Sequence, residues 1–311
     1  MKIVIVGLGG VGGIVGGRLA TGLADDDYDV VFWCRGETLD AVSTEGLHIL
    51  GHDGKVTVRP ALATHDAQRV GEADLLLFAT KNYHLEAAAQ ELAPLATEKT
   101  TVIPLLNGVS ATFILEKHFP KSDVLGGCVY ISAHVEKPGT VRQVGTMQRI
   151  FFGKKGISEA NNRLCYGNIE QILRKSGVNV TLTDRIDVET WSKFVFLSPF
   201  AGVTTLFRRS ISEALSHGES SETVSRMIRE LESLARAKNV DLPENISDIT
   251  IEKARAFAPL TKTSMQLDQE KDRPTELEAL IGYVCKEGEA LKLPTPTYNT
   301  VYESLKNICR T

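Results

Sequence analysis

In the first half of the chain, short apolar runs alternate with amphipathic stretches. The runs Lys2–Val6, Val30–Cys34, Asp74–Ala79 and Thr101–Leu105 are rich in apolar and β-branched residues. Such runs predict strands buried on both faces. The stretches Gly12–Leu23 and His84–Leu95 read as helices, and "GHDGKV" at 51–56 places Asp53-Gly54 as a hairpin turn between two strand-like runs. This βαβα order predicts a parallel sheet covered by helices.

From about residue 120 the pattern is mixed, with strands expected near Val124–His134 and Thr140–Phe152 and a helix near Ser158–Lys175. Beyond Asp184 the strand pattern stops. Helical periodicity covers 187–206, 219–237, 246–257, 274–291 and 297–308. The boundary is set near 184–187, at "TDRID", giving an α/β domain over 1–184 and an all-α C-terminal domain over 187–311.

A length of 311 residues fits two domains, and 42% hydrophobic residues supply two packed cores. The formal charge of −4, with Lys and Arg scattered, argues against nucleic acid or an anionic membrane surface as the main partner. The five cysteines, at 34, 128, 165, 285 and 309, form no CxxC, so reduced thiols are expected, most of them acting as small apolar residues. The seven histidines form no HExxH or comparable ligand group, so no metal is expected. No apolar run approaches the roughly 18 residues of a membrane span, and a strand starting at Lys2 leaves no room for a signal or transit peptide. The expectation is a soluble, cytoplasmic protein.

Candidate chemistry begins at "VIVGLGGVGGIVGGRLA", where Gly7-Leu8-Gly9-Gly10-Val11-Gly12 carries G-x-G-x-x-G directly after a strand and into a helix. In that context it reads as the Rossmann dinucleotide fingerprint, which makes the N-terminal domain Rossmann-type. Gly7 allows the tight turn, Gly9 lets a pyrophosphate approach the backbone, and Gly12 lets helix and strand pack closely. The helix start offers N–H groups and partial positive charge to phosphates. Glycines 10, 13, 16 and 17 each cost a helix up to about 1 kcal/mol; close packing of the helix on the sheet is the reading for them.

An NAD site usually has a carboxylate at the end of the second strand. Here "YDVVFWCRG" ends without one: Asp25, Asp26, Asp27 and Asp29 precede the strand or open it, and Arg35 follows it. A guanidinium suits a 2′-phosphate, which favours NADP (NADPH) over NAD. A solvated surface arginine is the alternative.

"ETWSKFVFLSPF" at 189–200 puts Lys193 on one helical stripe with Phe196, Leu197 and Phe200. A lysine on an apolar stripe needs a partner or a route to water. Reducing a carbonyl requires a proton donor as hydride reaches the carbon, and Lys193 can be that donor. Burial would lower its pKa from about 10.4, whereas a nearby carboxylate would keep it charged. Snorkelling to solvent is the bland reading.

Together, "WSKF" (191–194), "TSMQLDQEKDRPTELEALIG" (263–282), "LPTPTYNTVYESLK" (293–306), "FATK" (78–81) and "LNGV" (106–109) resemble the ketopantoate reductase (2-dehydropantoate 2-reductase) family over nearly the whole chain. The resemblance implies NADPH-dependent reduction of a small 2-oxo acid in a cleft between the domains. Ketopantoate would become pantoate, a precursor of pantothenate and coenzyme A. It also implies Lys193 as the general acid and Glu276 as the glutamate that helps hold lysine and substrate. Ser264 would contact the substrate carboxyl group, Lys81 and Asn107 would line the nicotinamide side of the cleft next to the substrate, and Arg35 would meet the 2′-phosphate. Read alone, Asn107-Gly108 is also a turn, Lys81 a surface charge and Ser264 a helix cap.

The chain departs from the family where W-x-K-x-x-x-N-x-x-x-N would place two asparagines; these are Leu197 and Ala201. Thr261 replaces a further asparagine, three residues before Ser264, and is kept as a substrate-site residue. Pro199 is expected to kink the helix. Two other readings stay open: a related oxidoreductase acting on another 2-oxo acid or an imine, and a non-catalytic NADPH-binding regulatory module. A helical C-terminal domain is compatible with a homodimer, although no heptad repeat marks a seam.

Overall fold

The computed structural model describes residues 1–52 and 54–310. The expected Asp53-Gly54 turn thus lies partly outside the described residues. The chain forms two compact units, Met1–Leu106 with Ala111–Ile186, and Asn107–Ser110 with Asp187–Thr311. A boundary near 184–187 would have left Asn107–Ser110 with the first unit; the structure groups these residues with the second.

The first unit opens with β1 (Lys2–Val6), α1 (Gly10–Gly22), β2 (Asp29–Trp33), α2 (Gly36–Glu45), β3 (Leu47–Gly51), β4 (Gly54–Val58) and β5 (Leu62–Thr64). Next come α3 (Ala67–Val70), β6 (Leu75–Phe78), α4 (Asn82–Leu92), β7 (Thr101–Pro104), α5 (Ala111–His118) and β8 (Asp123–Val124). It closes with β9 (Gly126–Lys137), β10 (Thr140–Gly153), α6 (Glu159–Lys175) and β11 (Val180–Leu182).

Six of these strands form a parallel sheet in the order β5-β2-β1-β6-β7-β8. Side chains alternate across it. Ile3 and Ile5 join one core with Ile14, Val15 and Leu19 of α1, while Val4 and Val6 join another with Leu85, Ala88 and Leu92 of α4. Covering both faces is what makes these strands nearly continuous apolar runs. Val6 is in register with Trp33 and Phe78, so the chain leaves β1, β2 and β6 at one sheet edge.

A second sheet, in the order β11-β10-β3-β4 with β9 paired to β10, packs on the other side of α1. That refines the account of the extra glycines. A Cβ at Gly16 would press on Ile5 and Phe32 of the first sheet, both at 3.0 Å. Gly10, Gly13 and Gly17 instead face Ala133, Val141 and Ile49 of the second. Helix α1 is clasped between two sheets, and its bare faces let both approach.

From Asp187 onward the second unit contains no strand among the described residues. It comprises α7, which starts at Ile186 and ends at Phe207, then α8 (Ile211–Ser216), α9 (Gly218–Ala237), α10 (Ile246–Arg255) and α11 (Ser264–Glu270). Where one helix was expected over 274–291, a π-helical turn (Glu278–Gly282) leads into α12 (Tyr283–Ala290); α13 spans Pro296–Lys306. Phe194, Phe200 and Val203 of α7 share a core with Met227, Leu231, Ile281 and Tyr298. Helix α7 continues past Pro199. Beside that proline, the buried Ser198 Oγ donates to the Leu280 carbonyl at 2.8 Å, so Tyr298 OH, also at 2.8 Å, donates to Ser198.

Candidate active site

Within the first unit, the glycine motif forms the loop from β1 into α1. Gly7 has φ +93°, a left-handed conformation that favours glycine, and its N–H donates to the Trp33 carbonyl at 2.9 Å. A Cβ on Gly12 would overlap the Gly7 carbonyl, so only glycine lets α1 start this close to the strand. A Cβ on Gly9 would have only the Ala79 carbonyl near it, at 3.9 Å. Gly9 is therefore dispensable for packing, and the space beside it is open. It is also the N-cap of α1 and bonds no side chain there, so the first-turn N–H groups are available to an anion. Leu8 is buried and Val11 partly buried, which pins the loop. Thr80, which would lie against a Gly7 Cβ, has a buried hydroxyl with no partner, a polar group that sequence reading missed. These residues fit a dinucleotide's phosphates.

The residues that follow β2 and β6 sit at the same edge. Arg35 is the N-cap of α2 and Lys81 the N-cap of α4. The Arg35 guanidinium lies over the Trp33 ring at 4.5 Å and pairs with the Glu91 carboxylate. Asp29 is in register with Lys2, at the opposite end of β2, so the acidic run is indeed remote from this edge.

In the second unit, Lys193 has a built environment. It is partly buried on α7, and its Nζ donates to Asn107 Oδ1 at 2.9 Å. Asn107 Nδ2 donates to Oε2 of the buried Glu276 at 3.3 Å. The amide turns its oxygen to a group that only donates and its nitrogen to a group that only accepts. A flipped amide would set like against like on both sides, so the chemistry fixes its orientation. A buried charge is costly unless paired and hydrogen-bonded, and this relay between cation and carboxylate meets that requirement. Gly108, at φ +87°, turns the chain just after Asn107, and Val109 packs on the second unit's core.

Ser264 and Thr261 lie at the start of α11 and in the loop that leads into it. Ser264 is exposed as the first residue of α11, but the cap is Thr263, whose hydroxyl accepts from Gln266 N–H. Thr263 also bonds Thr204 of α7 at 2.8 Å, tying this loop to the lysine's helix. Thr261 holds the loop through its backbone, accepting from Ile211 N–H at 2.9 Å. One turn beyond Lys193, Phe196 stacks on Phe257 with centroids 5.4 Å apart and on Phe200 at 5.0 Å. Leu197 is partly buried and Ala201 fully buried, so the lysine's helix continues as an aliphatic and aromatic surface.

Among the described residues, no group of three or more His, Cys, Asp or Glu side chains could hold a metal ion, and no helix is long and apolar enough to cross a membrane.

Two family models together match most of the chain. Residues 3–156 match the family model of ketopantoate reductase PanE/ApbA, and residues 185–308 match the model of its C-terminal part. The uncharacterized oxidoreductase YkpB of Bacillus subtilis strain 168 is 28% identical over 98% of each chain. The crystal structure of a 2-dehydropantoate 2-reductase from Porphyromonas gingivalis W83 superposes with a TM-score of 0.85 at 29% identity, covering 98% of this chain and 99% of that one. A D-mandelate dehydrogenase with NADH and anilino(oxo)acetate shares the fold at a TM-score of 0.87 and 21% identity, covering 99% and 98%.

Proposed function

We propose that this chain, which belongs to the ketopantoate reductase family of oxidoreductases, uses NADPH to reduce a small 2-oxo acid to the 2-hydroxy acid, with ketopantoate the leading substrate and pantoate the product. The observation that carries the reading is the Lys193–Asn107–Glu276 relay. A bound reduced nicotinamide supplies the hydride. The chain's own residues do the rest. The Gly7–Gly12 loop binds the phosphates through backbone N–H groups, Arg35 meets the 2′-phosphate, and Lys81 lies at the nicotinamide end. Lys193 gives its proton to the carbonyl oxygen as negative charge builds there, a contribution worth roughly 10²–10⁴-fold in rate. Asn107 aims the ammonium, and Glu276 holds Asn107. Ser264 and Thr261 contribute to holding the substrate carboxylate.

A second reading has specific support. The positions of two family asparagines carry Leu197 and Ala201, and Phe196 with Phe257 adds an aromatic surface one turn from the lysine. Without those amides, a substrate hydroxyl left unpaired in a closed site costs about 1–3 kcal/mol. This favours a 2-oxo acid with an apolar side chain. The deciding experiment is kcat/KM, by NADPH oxidation, for ketopantoate against 2-oxo acids lacking the terminal hydroxyl. Preference for ketopantoate supports the first reading, and preference for the apolar acids the second. No turnover with any of them would leave a binding module.

A further inference from the structure

Glu91 lies in the last turn of α4, and its carboxylate pairs with the Arg35 guanidinium. No sequence pattern links Arg35 to this partner, 56 residues away. Its placement follows from packing. Leu85, Ala88, Ala89 and Leu92 press α4 onto the sheet face that also buries Trp33. Glu91, next to Leu92, is thereby left at the exposed rim. Arg35 is stacked on the other participant in that packing, the Trp33 ring. Two rigid elements thus hold a carboxylate at the guanidinium that the proposed function gives to the 2′-phosphate. The side chains are 54% and 39% exposed, so the pair is weak enough to exchange partners.

We infer that Glu91 is a coenzyme-selectivity residue, whose carboxylate competes with the 2′-phosphate of NADPH for Arg35 and so narrows the preference for NADPH over NADH. This inference rests on the reading of Arg35 as the phosphate's partner. A 2′-phosphate entering beside Glu91 must displace one anion from the guanidinium and then stay close to it. Both effects oppose binding. The 2′-hydroxyl of NADH meets neither, because it carries no charge.

The test is titration of NADPH and NADH into the wild type, Glu91→Gln, Arg35→Ala and the double variant, at low and high salt. Glu91→Gln keeps the side chain's size at an exposed site, so the fold is retained. It should tighten NADPH about three- to tenfold, which is roughly 0.7–1.4 kcal/mol, and change NADH less than about twofold on the same scale. The gain should vanish in the Arg35→Ala background and shrink as salt screens the charges. If Arg35→Ala weakens NADPH but Glu91→Gln changes neither dinucleotide, the role of Glu91 is overturned while that of Arg35 stands. If Arg35→Ala leaves NADPH binding unchanged, both are overturned.

Discussion

Lys193 Nζ reaches Asn107 Oδ1 at 2.9 Å although 86 residues of chain separate the two. In the proposed mechanism this bond lets Asn107 aim the lysine. Asn107→Ala should lower kcat by about 10²-fold, the usual cost of a misplaced catalytic group, with a smaller effect on dinucleotide affinity. Steady-state kinetics with the best 2-oxo acid provide the measurement; an unchanged kcat would show that the amide does not set the lysine's position.

Lys193→Ala removes the proposed proton donor itself. Its kcat should fall by roughly 10²–10⁴-fold while NADPH titrates as in the wild type. Glu276→Ala should impair substrate binding and turnover together, because Asn107 Nδ2 then loses its acceptor and the lysine its counter-charge. Near-normal turnover of Lys193→Ala would return that residue to a snorkelling surface cation.

Two glycine variants separate folding from binding. Gly12→Ala forces a Cβ into the Gly7 carbonyl and should lower Tm markedly or prevent soluble expression. Gly9→Ala meets only the Ala79 carbonyl at 3.9 Å, so its Tm should stay close to wild type while dinucleotide affinity drops. Equal losses of Tm in the two variants would contradict the distinct roles assigned to these positions.

These sites were unequally legible in the sequence. The strands β1, β2, β6 and β7 were readable because burial on both faces leaves unbroken apolar runs. The two- and three-residue strands β5, β8 and β11 are too short to show a period. Helix α2 went unread because only Val42 of its ten residues is buried, so it has no apolar stripe. At the site, Gly7–Gly12 is local and has a motif. Lys193 stands out in the sequence as a cation on an apolar stripe, whereas Asn107 and Glu276 follow only from the family resemblance, since no spacing rule joins residues this far apart. Their hydrogen-bonded order is set by the tertiary fold. Glu91 belongs to the same class: its partner is set by the packing of α4. Trp33 is closer to hand, the last residue of β2 and only two residues before Arg35.

The thiols should separate by burial. Cys165 is exposed, whereas burial pushes the Cys34 thiol up to about 12 and Cys285 up to about 11. Alkylation near neutral pH should therefore label Cys165 first and Cys34 among the last, as peptide mapping over time would show. The same shift has a stability consequence. Folded Cys34 keeps a proton that the unfolded chain releases above 9.0, so its contribution is complete below that pH and is lost as pH rises toward about 12. Denaturant unfolding across this window should show stability declining with pH, and Cys34→Ala should remove part of the slope. Faster labelling of Cys34 than of Cys165 would refute the assignment.

The excursion of residues Asn107–Ser110 has a consequence for inheritance. The polypeptide leaves the first unit after Leu106 and returns to it at Ala111, having lent four residues to the second. A recombination event that joined this N-terminal half to a foreign helical half would pair the newcomer's lysine with an asparagine it did not evolve beside. An excised 187–311 segment would carry Lys193 and Glu276 without the amide that joins them. On the proposed mechanism the two halves are not interchangeable modules: whichever gene supplies the lysine must also supply, from far upstream, the short segment bonded to it.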